Sequence, residues 1–115
     1  MKLYISTASH TELVLQLRSA KQIIASRKIN AAHKQAEKLL PELEALLKRK
    51  KFKLSDISEI IVENKGEGFT SLRIGVTTAN ALAYATGAAL AIPGQGRVRL
   101  AAPVYGQAPS ITRKK

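Results

Sequence analysis

The sequence predicts an α/β lobe, a mixed five-stranded sheet with two main helices in the order β-β-β-α-β-α-β. Three observations carry this. Leu13, Leu15 and Leu17 alternate with Val14 and Gln16, the period of a strand with one buried face. Ala36, Leu39, Leu40, Leu43, Leu46 and Leu47 recur at helical spacing. From Ile74 to Gly96 there is no charged residue, and the Ala-rich part of that stretch is helical in character.

In chain order, residues 2–6 read as a short strand, and a small polar turn at Thr7–Thr11 leads to a second strand over 12–17. After a turn at 18–21, residues 22–27 carry Ile23 and Ile24 and complete an antiparallel meander. Asn30 is the expected N-cap of the leucine helix. Pro41 is expected to kink that helix or to mark where its regular part begins. Lys48, Arg49, Lys50 and Lys51 crowd its end, where cations suit the helix dipole; a nucleic-acid patch is the other reading of the same run. Residues 56–62, with Ile57, Ile60, Ile61 and Val62, form the fourth strand. A glycine-bearing turn at Lys65, Gly66, Glu67 and Gly68 precedes a second helix from Thr70 to Thr86, closed by Gly87. Residues 88–92 make the fifth strand, and Pro93, Gly94 and Gly96 end the lobe. Two domains of unequal character result: a folded lobe over 1–92, and a basic, extended tail over 93–115. A meander followed by βαβ crossovers is the plan of a ribonuclease-H-like lobe, the half-unit of the ASKHA superfamily of sugar kinases, Hsp70 and actin.

Composition narrows the function. The chain has 115 residues, 45% of them hydrophobic and 23% charged, a globular balance for one small domain. Without cysteine it has no disulfides, no thiolate metal sites and no cysteine nucleophile. Its two histidines, His10 and His33, are too few for a histidine-rich metal site, and neither a metal nor a cofactor is expected. The formal charge is +11, and the last 23 residues hold five bases and no acid. Such a chain suits nucleic acid, an anionic membrane or an acidic protein as partner, or simple solubility. No signal peptide is read at the N-terminus, and the uncharged stretch is too rich in Ala, Thr and Gly for a membrane span, so a cytoplasmic protein without membrane contact is expected.

The second helix is the strongest physical clue. Leu72, Val76, Ala79 and Ala83 form one face, while Ile74, Ala81, Leu82, Tyr84 and Ala85 cover most of the rest. A helix apolar on all sides is buried on all sides, and one sheet covers only one of them. The other side is expected to meet a partner, with Gly75, Ala79 and Ala83 allowing close approach; cover by the first helix and the tail is the alternative.

Phe69-Thr70-Ser71-Leu72-Arg73-Ile74-Gly75-Val76 resembles the F-T-G-[LV]-R-[IV]-G-[IV] signature of the TsaB (YeaZ-type) family, inactive glycoprotease-like subunits of tRNA threonylcarbamoyladenosine modification. Leu3 to Ser9 is similar to the family's opening strand, Glu37-Lys38-Leu39-Leu40-Pro41 to its helix ending in L-L-P, and Leu54 to Ile57 to the run into its glycine loop. Ala79 to Tyr84 and Gly87 resemble its second helix, and Pro103-Val104-Tyr105 its P-V-Y tail. The likeness covers about residues 1–92 plus the tail; no second lobe is recognisable, so a minimal single-lobe member is expected.

The resemblance implies a non-catalytic partner subunit for TsaD, the paralogue that transfers threonylcarbamoyl from threonylcarbamoyl-AMP to a tRNA adenosine, with an ATPase subunit, TsaE, joining them. tRNA is then met through the complex, and the isolated chain is expected to form homodimers through the same surface. The family interface is a helix bundle, which here implies Leu72, Arg73, Val76, Ala79, Asn80 and Ala83 from the second helix and Leu39 and Leu43 from the first. No catalytic residue is expected, because Ser6 stands where the family's first strand has an acid, and Gln35 where it often has His. Gly66, Gly68 and Thr70 form at most a weak anion or nucleotide loop, since Glu67 beside them repels phosphate. Two other readings stand beside this one. One is a small basic RNA-binding protein, for which the charge speaks and the 4% aromatic content does not. The other is an ASKHA-type ATPase or glycoprotease, which would need the missing acids and an interlobe cleft.

Overall fold

A computed structural model describes residues 1–66 and 69–105. Strand β1 (Lys2–Ser6) buries Leu3 and Ile5 and turns Lys2 and Tyr4 to the other face. Strand β2 (Glu12–Ser19) does the same with Leu13, Leu15 and Leu17, and pairs antiparallel with β1 so that Leu3 faces Leu17 and Ile5 faces Leu15. Strand β3 (Gln22–Asn30) pairs antiparallel with β2 through a bulge at Leu17/Arg18. The hairpin turn is only Ala20-Lys21, with Ala20 at φ 53°. Both strands therefore run further than the alternation predicts, because Arg18, Ser19, Lys28 and Asn30 pair through backbone that carries no hydrophobic signal.

Helix α1 (Gln35–Arg49) buries Leu39, Leu43, Leu46 and Leu47 and runs on through Pro41. Asn30 is not its cap. It is the last residue of β3, and its Oδ1 accepts the Ala32 N–H at 3.4 Å; the capping position is Lys34, which gives no side-chain cap. The four residues between take a turn with His33 at φ 60°, so the helix starts later than a capping residue suggests.

A short 3-10 turn (Leu54–Asp56) leads to β4 (Glu59–Val62), which lies parallel to β1. After the two-residue strand β5 (Lys65–Gly66) comes helix α2 (Phe69–Thr86), closed as expected by Gly87 at φ 77°, whose N–H reaches the Ala83 carbonyl at 2.9 Å. Strand β6 (Ala89–Ile92) then lies parallel to β4. The sheet order is β3-β2-β1-β4-β6-β7. Both crossovers step the same way along it, so right-handedness puts α1 and α2 on one face, where the core lies.

The sheet has six strands where five were expected. Gly94 and Gly96, both at φ 82°, fold the Pro-Gly run into a hairpin, and β7 (Gly96–Val98) returns antiparallel to β6. Residues 99–105 also lie against the lobe. Asn80 on α2 holds Ala101 from both sides, donating to its carbonyl and accepting its N–H, each at 2.9 Å. The Asn64 amide reaches the Ala102 carbonyl at 2.9 Å, and β8 (Val104–Tyr105) pairs parallel with β5. Residues 93–105 of the segment read as an extended tail are thus fastened to the fold; 106–115 lie outside the described residues.

Candidate partner-binding face

The α1–α2 pair shows how each of the eight expected interface residues is used. Leu39, Leu43, Leu72, Val76 and Ala79 are all 2% exposed or less and pack inside the chain's own core. They are not available to a partner. The correction has a simple cause: a stripe that packs on its own sheet and one that packs on another chain have the same spacing and composition. Ala83 is half-buried against the core, and the Asn80 amide is engaged by Ala101. Arg73 is exposed at the groove between the helices. Gly75 likewise does not await another helix, since a Cβ there would overlap the Thr7 hydroxyl at the end of β1.

A different set of side chains faces outward. Tyr84 is 93% exposed, Leu40 53% and Leu54 38%. Leu40 is the ridge between two grooves. One runs between the start of α2 and α1, past Ala36, Arg73, Ile74 and Thr77. The other lies between α1 and the segment after it, lined by Pro41, Leu47, Phe52, Leu54 and Leu82. The sequence does not single out Leu40, since the adjacent Leu46 and Leu47 of the same helix are both buried. Tyr84 gave no signal inside an apolar helix.

The expected anion loop is only partly described. Gly66 is explained by packing, since a Cβ on it would stand 2.6 Å from the Ala8 carbonyl oxygen. Gly68 lies outside the described residues. Thr70 is exposed on the first turn of α2, in a hollow it shares with His10, His33, Lys34 and Gln35. Gln35 holds that corner together by donating to the His10 carbonyl at 2.7 Å. Among the described residues, no three His, Asp or Glu side chains lie grouped to hold a metal ion, and no helix is long and apolar enough to cross a membrane.

The opposite face of the sheet carries the most buried charge among the described residues. Glu59 on β4 accepts from Arg97 at 2.8 Å and pairs with Lys2 at 3.3 Å. The Arg97 hydrogen bond holds its carboxyl below the usual carboxylate range against the opposing pull of burial, and Lys2 adds to the lowering. Beside it, the Arg18 guanidinium lies 4.4 Å over the Tyr4 ring.

Comparison with known proteins places this geometry. Residues 20–92 match the tRNA N6-adenosine threonylcarbamoyltransferase family, TsaD. The chain belongs to the TsaD family. Its fold is that of YeaZ from Pseudomonas aeruginosa, with a TM-score of 0.73 and 22% identity over 79% of this chain and 42% of that one. A second Pseudomonas aeruginosa structure, of an uncharacterized protein similar to peptidase YeaZ, gives 0.73 and 22% over 79% of this chain and 41% of its own. This TsaD-family chain therefore spans about two fifths of the length of the solved structures it matches. No curated protein sequence matches it. The resemblance to YeaZ-type chains thus holds at the level of the fold, and the family is TsaD's.

Proposed function

We propose that the chain is a non-catalytic subunit that binds and supports a TsaD-type threonylcarbamoyl transferase in tRNA threonylcarbamoyladenosine modification. The observation that carries this reading is the two-helix face on a TsaD-family lobe, where Leu40 stands exposed between two apolar-lined grooves and Tyr84 is exposed on the last turn of α2. Exposed apolar side chains gathered on one face are what a protein interface uses. The non-catalytic role is supported by Ser6 at the end of β1, where the signature that this sequence resembles has an acid, and by Gly66, which packs on Ala8. The same face makes a two-fold homodimer when the chain is alone, exchanged for the TsaD-type partner when that is present. A TsaE-type ATPase belongs to the same assembly, which works in the cytoplasm on tRNA.

The test is the threonylcarbamoyladenosine content of bulk tRNA, measured by mass spectrometry in the source cells after depletion of this chain. Loss of the modified nucleoside, restored by the wild-type chain, is expected. A full modification level without it contradicts the proposal.

A further inference from the structure

The charge of the protein is not spread evenly over its fold. Lys48 and Arg49 end helix α1, and Lys50, Lys51 and Lys53 follow; all five are exposed. The Ser58 N–H then bonds the Met1 carbonyl at 2.7 Å, which brings this segment to the start of β1. There Lys2 pairs across the sheet with Arg18, and exposed Lys21 sits in the adjoining hairpin. The topology thus gathers eight cations at one end of the lobe, where β1, β4 and β6 begin and α1 stops. Asp56 and Glu59 share that end and are engaged, and exposed Glu44 stands one helical turn before Lys48. Asp56 accepts the Lys53 backbone N–H at 2.8 Å, and Glu59 lies between Lys2 and Arg97. At the other end, Glu12, Glu37 and Glu63 stand among Lys28, Lys34, Lys38 and Lys65, so charge there is nearly balanced.

We infer that this basic end docks the phosphate backbone of a folded RNA directly. Charge complementarity suits a polyanion there. The choice of RNA rests on the proposed role in tRNA modification. The surface chemistry favours backbone recognition, because eight cations stand there while Tyr4 lies beneath Arg18 and Phe52 is half-buried. That leaves Tyr84 on the last turn of α2 as the exposed ring among the described residues, too little for the aromatic platform of a reader of single-stranded bases. The run at Lys48–Lys51 therefore does more than complement the helix dipole. Lys48 also lines the groove with Phe52 and Leu82, so that groove adjoins the basic end, whereas the groove at Ala36, Arg73 and Ile74 involves the start of both helices; a protein seated in the latter leaves the basic end to the RNA.

The experiment uses the full chain, fluorescence anisotropy and an unmodified tRNA transcript across a salt series. One variant carries Lys48→Gln, Arg49→Gln and Lys50→Gln; a charge-matched control carries Lys28→Gln, Lys34→Gln and Lys38→Gln. Equal melting temperatures establish that both fold. The basic-end variant is expected to bind about tenfold more weakly, with a log–log salt slope shallower by about 2 to 3, while the control stays within about twofold of wild type. Equal weakening of both variants overturns the inference, as does tighter binding to polyglutamate or to phosphatidylglycerol vesicles than to the transcript. Absence of tRNA binding by the wild-type chain overturns it too. Association with a TsaD-type protein is measured on the same samples, so a failure of the basic end is told apart from a failure of the partner reading.

Discussion

Thr7 and Gly75 lock the end of β1 to the second turn of α2. The Gly75 N–H donates to the buried Thr7 hydroxyl at 3.2 Å, and the space a Cβ would need at Gly75 is filled by that side chain. Alanine at this position gains about 0.5 to 1 kcal/mol of helix propensity. Thr7 is fully buried and has nowhere to move, so overlap costs more, about 1 to 3 kcal/mol. Gly75→Ala is therefore expected to lower stability in urea denaturation. Adding Thr7→Ala to it should recover part of the loss, because the second change removes the obstructing atoms.

Exposure separates core residues from interface residues on the same two helices. Leu39→Ala is expected to cost about 2 to 5 kcal/mol of stability, as a core truncation does. Leu40→Lys and Tyr84→Asp should leave stability within about 0.5 kcal/mol, since both side chains already face solvent. Thermal melts of the single variants check the contrast. Charged substitutions at Val76 or Ala79 unfold the lobe and so say nothing about a partner.

Asn80 fastens residues 99–105 through both ends of one amide. Asn80→Ala removes two hydrogen bonds and leaves the buried Ala101 backbone without partners, at a cost of about 1 to 3 kcal/mol. Amide exchange at Ala101 should accelerate well before exchange in β1 or β2.

Glu59 makes the fold acid-sensitive in a defined direction. Its carboxyl titrates below its unfolded value, so its contribution is fully present above the unfolded pKa and is lost as pH falls through the lower, folded one. Glu59→Gln is expected to cost about 1 kcal/mol near neutral pH. It should also flatten the fall in stability below about pH 4.5, measured by denaturation across pH.

The sheet, the two helices and Gly87 were legible because each writes a period or a backbone requirement into the chain. Leu13, Leu15 and Leu17 alternate, and Gly87 takes φ 77°. Strand β7 was not, because three residues at a sheet edge pair through backbone and carry only Val98 as an apolar mark. The partner face was half legible. The residues of the stripe told that α1 and α2 pack, but Leu72 and Val76 are buried within the chain itself, and only the fold shows that Leu40 and Tyr84 are not.

The most direct test of the partner reading is isothermal titration of a TsaD-type protein from the same genome with the wild-type chain and with the Leu40→Lys/Tyr84→Asp variant. Binding by wild type, weakened at least about a hundredfold in the variant at unchanged melting temperature, is the expected result for two central interface positions. Equal affinity for both chains, or no heat of binding for either, contradicts it.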